Sequence, residues 1–109
     1  MELKSLNDKA KLSKNNNGQA ELFFGTIKRN TDTTTELIFT GNKIEDLTLV
    51  KTCGCTVTAT EKVDENNSKG TVKYDAKSLG VFTKTVKISF KENGEQKNTQ
   101  LILKGTVVQ

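Results

Sequence analysis

VFTKTVKISFK, residues Val81–Lys91, is the stretch that decides the fold. Phe82, Val86, Ile88 and Phe90 fall on one side of a two-residue period, and Thr83, Thr85, Lys87, Ser89 and Lys91 fall on the other. Side chains of an extended strand alternate between its two faces, so this pattern predicts a half-buried strand. Lys84 interrupts the inward set and is expected near an end or an edge. Glu92-Asn93-Gly94-Glu95 comes next. Asn-Gly suits a two-residue hairpin turn, because both of its central positions need positive φ. Thr99–Val108 then alternates again, with Leu101, Leu103 and Val107 on one face and Ile102 and Val108 on the other. The unit is a β-hairpin.

Similar signals recur toward the N-terminus. Leu22–Lys28 is a short apolar run broken by Gly25, which predicts a bulge or a crossing between sheets. Thr33–Thr40 alternates and ends at the turn pair Gly41-Asn42. Leu47–Lys51 places Leu47 and Leu49 opposite Val50. Cys53, Cys55, Val57 and Ala59 share one face of the next strand, opposite Thr56, Thr58 and Thr60. Asp64–Gly70 reads as a loop, and Thr71–Asp75 as a strand with Val72 and Tyr74 on one side. Seven short strands without a helix predict an all-β, antiparallel β-sandwich. A five-stranded barrel is the competing architecture; the strand count and the paired inward faces favour the sandwich.

Composition agrees. The 109 residues suffice for one domain. Its 16 threonines suit pleated, half-exposed strands and its 10 asparagines suit turns. Proline, histidine and tryptophan are absent. Without histidine, His-dependent triads, His metal sites and imidazole acid–base chemistry are excluded. The net charge of +4 comes from 17 basic and 13 acidic residues that are interleaved. Lys4, Lys9, Lys11 and Lys14 form the densest basic group, diluted by Glu2 and Asp8, with no aromatic residues to stack on bases. This argues against nucleic acid and for an acidic protein partner at most. No apolar run is long enough for a membrane-spanning helix or, within the first 20 residues, for a secretory signal.

Residues 1–19 read as a polar N-terminal arm, and residues 20–109 as the folded domain. Leu3, Leu6 and Ala10 allow a turn or two of amphipathic helix before Asn15-Asn16-Asn17-Gly18 ends it. Such an arm is either a loose tail or a segment that orders against a partner subunit.

Only Thr52-Cys53-Gly54-Cys55-Thr56-Val57 is too particular for generic strand. Thiols at i and i+2 of a strand have Cα atoms roughly 6.5–7 Å apart. A disulfide prefers about 5.5–6 Å and converging Cβ vectors, so a regular strand resists closing one. Gly54 could relax the backbone enough for a redox-active pair. A metal site needs about four ligands, and a second subunit would have to supply half of them. Packed core cysteines are the expected reading, since cysteine behaves as a small, buried hydrophobe. Asp64 and Glu65 read as solvated loop acids, and Glu45 and Asp46 as turn residues. Serines 5, 13, 68, 78 and 89 lack a base to activate them. The expectation is a non-enzymatic protein with no catalytic residue, cofactor or metal, and with Cys53, Gly54 and Cys55 as a structural motif.

At this strand the chain resembles the bacterial domain of unknown function 1573, an Ig-like domain common in Bacteroidetes. The resemblance rests on Phe24-Gly25-Thr26-Ile27, Leu37-Ile38-Phe39-Thr40-Gly41-Asn42 and Thr52-Cys53-Gly54-Cys55-Thr56-Val57. Gly80-Val81-Phe82-Thr83-Lys84-Thr85-Val86 and Leu101-Ile102-Leu103-Lys104-Gly105-Thr106-Val107 complete it, so that it covers about Glu21 to Val108. It implies that the sandwich is Ig-like. Two departures stand out: family members usually carry prolines after the Cys-Gly-Cys strand, and usually an export or lipoprotein signal. A signal-less single domain of this type looks like an auxiliary, or decoration, capsid protein of a tailed bacteriophage, such as a crAss-like phage. The implied location is the virion, assembled in the host cytoplasm, and the implied partner is the major capsid protein or another virion subunit. The alternative is a periplasmic or surface Ig-like module of a Bacteroidetes bacterium whose signal has been removed. A thiol-redox protein using Cys53 and Cys55 is the third reading.

Overall fold

The computed structural model describes residues 2–7, 9–52 and 54–109. At its centre is the expected hairpin, longer than its alternation alone indicates. Strand β8 (Gly80–Glu92) pairs with β9 (Glu95–Val108) from Gly80↔Val107 to Glu92↔Glu95. Asn93 and Gly94 have φ of 53° and 81°, the two positive values that the Asn-Gly turn requires. Phe82, Val86, Ile88 and Phe90 are buried, as are Leu101, Leu103 and Val107.

Nine strands form two sheets. The five-stranded sheet runs β2 (Lys11–Lys14), β3 (Ala20–Lys28), β9, β8, β5 (Ile44–Lys51). The four-stranded sheet runs β1 (Glu2–Ser5), β4 (Thr35–Thr40), β7 (Asn67–Tyr74), β6 (Thr56–Lys62). All pairings are antiparallel except β3 with β9, which is parallel. This strand order is that of an Ig-like sandwich, an ABED-type sheet facing one built on CFG. Gly25, at φ 68°, sits where the register of β3 slips between Phe23 and Thr26, so the predicted bulge is present.

Leu22, Phe24, Leu49 and the inward residues of β8 and β9 fill the gap between the sheets against Leu37, Phe39, Val72 and Tyr74. Burying each such side chain contributes about 1.5–3 kcal/mol. Close approach sets one glycine: a Cβ on Gly70 would lie 2.7 Å from the Phe39 ring, so the largest fully buried side chain rests on bare backbone.

Three expectations change. First, residues 1–19 contribute β1 and β2, edge strands of the two sheets, in place of helical turns. Leu3 pairs with Phe39 and Leu12 with Leu22, and both lean on the core. Asn15-Asn16-Asn17-Gly18 is the β2–β3 turn, closed by Asn15 Oδ1 accepting from Asn17 and Gln19 N–H at 2.9 and 3.0 Å. The i, i+3, i+7 apolar spacing was accidental. Second, Asn67–Gly70 belongs to β7 and not to a loop. Polar Asn and Lys point outward there while Ser68 and Gly70 face in, leaving no apolar residue to reveal the alternation. Third, β6 is inverted. Thr56 is buried, Thr58 is half-buried, and Val57 and Ala59 are exposed. Thr58 Oγ1 donates to Leu49 O at 3.0 Å, joining the edge of one sheet to the edge of the other. A hydroxyl that reaches a free carbonyl at the rim suits that position better than a methyl group does.

Candidate functional site

The Cys-Gly-Cys segment lies at one end of the sandwich, at the start of β6. Cys53 lies outside the described residues. Cys55 is half-buried against the core, and Gly54 is exposed with open space around its Cα. Cys55 is disulfide-bonded, the role weighed below packed core cysteines in the sequence, although it still rests against the core. Its carbonyl accepts from Asp75 N–H at 2.6 Å, tying this end to the end of β7.

Beside it an open cleft of about 530 Å³ is lined by Cys55, Tyr74, Leu79, Val81, Phe82 and Lys84, among others. The Tyr74 ring stacks on Phe82 at 3.9 Å between centroids, and Phe24 tilts against Phe82 at 6.0 Å. Thr33 holds Tyr74 in place: its hydroxyl accepts from Tyr74 N–H at 2.8 Å and donates to Tyr74 O at 2.6 Å. Burial, assisted by the Asp75 charge, raises the Tyr74 pKa above its ordinary value. Lys84 lines this cleft where β5 has ended, at Lys51 opposite Val86, and β8 is paired with β9 alone. It lies at a local end of the pairing, as expected, although β8 itself is a central strand.

The cleft opens toward the outer face of the five-stranded sheet, where apolar side chains stand in solvent. Val81 is 81% exposed and Phe23 53%. The register places them in adjacent rows, Val81 beside Thr106 and Thr26, and Phe23 between Lys104 and Lys11. Lys104 pairs with Glu21 at 3.2 Å. Thr83 continues the Phe23–Lys104 row and Thr85 the Glu21–Ile102 row. The face is therefore threonine-rich, with Phe23 and Val81 exposed on two of its strands and Lys104 and Thr106 between them. Sequence reasoning put Thr83 and Thr85 on this side but overlooked Val81 and Phe23. The signal was an apolar residue at an outward parity position.

Acidic residues that read as solvated hold turns. Asp64 caps the β6–β7 turn through Asn66 N–H and the Asn67 amide, which lower its pKa. Asp46, at φ 54°, lies in the β5 bulge. No group of three or more potential metal ligands occurs among the described residues. The cleft and face offer aromatic and aliphatic contact, hydroxyls and ammonium groups, which suit a protein surface bearing carboxylates.

Compared with known proteins, the chain matches no family model, no curated protein and no solved structure.

Proposed function

We propose that this chain is a non-enzymatic interaction module that attaches to a larger protein assembly through the outer face of its five-stranded sheet. The observation that carries the reading is the exposure of Phe23 and Val81 on that face, with Val81 also lining the Cys55–Tyr74–Phe82 cleft. Large apolar side chains standing in solvent on one sheet face, beside an aromatic-lined cleft, are what a docking surface presents. With the sequence resemblance, the assembly proposed is the shell of a tailed-phage virion, with the chain as an auxiliary capsid protein on the major capsid lattice. Repetition over a symmetric shell makes weak single contacts sufficient. The test is to add purified chain to particles stripped of it. Stoichiometric rebinding is expected, and loss of rebinding with Phe23→Asp/Val81→Asp. Particles that never carry the polypeptide would remove the virion from the reading.

The disulfide at Cys55 favours a second setting. Disulfides persist at virion surfaces, in the periplasm and outside the cell, and seldom in the cytosol. A periplasmic or cell-surface Ig-like module meets that condition equally well. Cell fractionation with an antibody to the folded domain separates the two.

A further inference from the structure

We propose that β6 is a pairing edge that takes a second copy of this chain, forming an antiparallel, two-fold β6–β6 junction. The proposal does not depend on the function proposed above.

The two sheets have four edges, β1 and β6 in one and β2 and β5 in the other. An unpaired edge invites another strand, and proteins blunt such edges by shortness, lysines, bulges or cover. Strands β1 and β2 are four residues each and carry Lys4, and Lys11 and Lys14, respectively. Strand β5 has a bulge between Glu45 and Thr48, and its Leu49 carbonyl is taken by Thr58. Strand β6 is neither short nor bulged, and its single lysine, Lys62, stands at its last position. It is seven residues long, pairs with β7 in unbroken register, and is uncharged over Thr56–Thr60.

Its free groups can be identified. Cys55 O accepts from Asp75 N–H, and Val63 N–H donates to Asn67 O. Odd-numbered residues of β6 therefore face β7. By the alternation of an antiparallel ladder, Thr56, Thr58, Thr60 and Lys62 turn their N–H and C=O groups outward. A second β6 in antiparallel orientation meets them with the same set.

Charge selects the register. Lys69, the cross-strand neighbour of Glu61, gives its ammonium to Glu36 at 3.3 Å. Neither Glu61 nor Lys73 forms an ion pair among the described residues. Lys73 sits beside Val57. With the two-fold axis at Ala59, all seven residues overlap and Glu61 of the second copy lies on the other side of Val57. The Glu61 and Lys73 backbones are then two strand spacings apart, roughly 10 Å, which a lysine and a glutamate together can span. On the inner face Thr58 meets Thr60 of the second copy, a favourable cross-strand pair. An occupant of other chemistry would not gain both ion pairs at once.

The test uses the full chain in sedimentation equilibrium. A concentration-dependent dimer is expected. Thr60→Pro removes an outward N–H while leaving the β7 ladder intact, so it should weaken the dimer at least tenfold with unchanged circular dichroism. Glu61→Lys should weaken it as well, and Glu61→Lys/Lys73→Glu should restore it. At the axis, Ala59 and Ala59 of the second copy form a non-hydrogen-bonded pair with Cα atoms about 4.5 Å apart. Ala59→Cys should therefore give a covalent dimer on mild oxidation, and Val57→Cys should not. A chain that stays monomeric up to millimolar concentration overturns the proposal. So does a dimer that ignores Thr60→Pro, or one cross-linked equally by both cysteine variants. A monomer that binds an extended strand of another protein along β6 would also overturn it, by giving the edge a different occupant.

Discussion

The β8–β9 hairpin and the β6 edge strand obey the same alternation and point it in opposite senses. In the hairpin, apolar residues face the other sheet, and threonine and lysine face solvent. In β6, threonines face in, and Val57 and Ala59 face out. The difference lies in position. Central strands have the whole opposing sheet above them, so an inward methylene finds neighbours on every side. The inward side of an edge strand overlooks the rim, where Thr58 meets an unpaired carbonyl of β5. Burial sets the polarity of the first region and hydrogen bonding at the margin sets that of the second.

The largest effect should therefore come from the hairpin. Leu103 is fully buried between the sheets, in a strand bonded on both sides. Leu103→Ala should cost about 2–5 kcal/mol, the transfer of its methyl groups plus the cavity they leave. Denaturant unfolding reads this as a lower midpoint at constant slope. A loss under 1 kcal/mol would mean that the hairpin does not anchor the core and that the contrast with β6 fails.

The legibility of the chain follows the same division. Wherever apolar residues alternate over a buried face, as in Val81–Lys91, Thr33–Thr40 and Leu101–Val107, the strand was readable, and in Val81–Lys91 its inward side as well. Turns with special backbone chemistry, Asn93-Gly94 and the bulge at Gly25, were readable too, because few residues tolerate those φ values. Strands β1 and β2 were not, since four residues offer only two positions per face. The facing of β6 was missed because alternation gives two faces without saying which is inside; the carbonyl of Leu49 decided that, and it is a tertiary fact. The Cys55 disulfide was also misjudged, because regular strand geometry was assumed for a segment that precedes the strand. Of the proposed docking surface only the threonines were foreseen. An outward Val81 looks like ordinary strand until its exposure is known.

The hairpin also holds an acid at an inward position, Glu92 at the end of β8. Its carboxylate accepts from Asn42 N–H at 3.1 Å and from Lys97 Nζ at 3.1 Å, so the β4–β5 turn is fastened to the end of β8. The backbone hydrogen bond from Asn42, then that from Lys97, holds its pKa below the ordinary 4.5. A carboxyl with a depressed folded pKa stabilises above its unfolded value and loses that stabilisation as pH falls through the folded one. Glu92→Gln should destabilise by about 1–2 kcal/mol at neutral pH, through loss of the charged acceptor. The gap between variant and wild type should close progressively below pH 4.5 in parallel melts. A gap independent of pH would mean that Glu92 acts by shape alone.

The smallest effects test β6 itself, and their signs matter more than their size. If the rim favours a hydroxyl, Thr58→Val should destabilise by about 1 kcal/mol although it adds an apolar surface, because Leu49 O loses its donor. Val57→Thr changes an exposed side chain and should fall within about 0.5 kcal/mol of wild type. Hydrophobicity alone would rank the two oppositely, with the inward valine stabilising. Thermal melts of both variants at one low protein concentration, where self-association is suppressed, separate the accounts. Should Thr58→Val raise the midpoint, β6 would be an ordinary amphipathic strand, and rim geometry would not explain its outward valine.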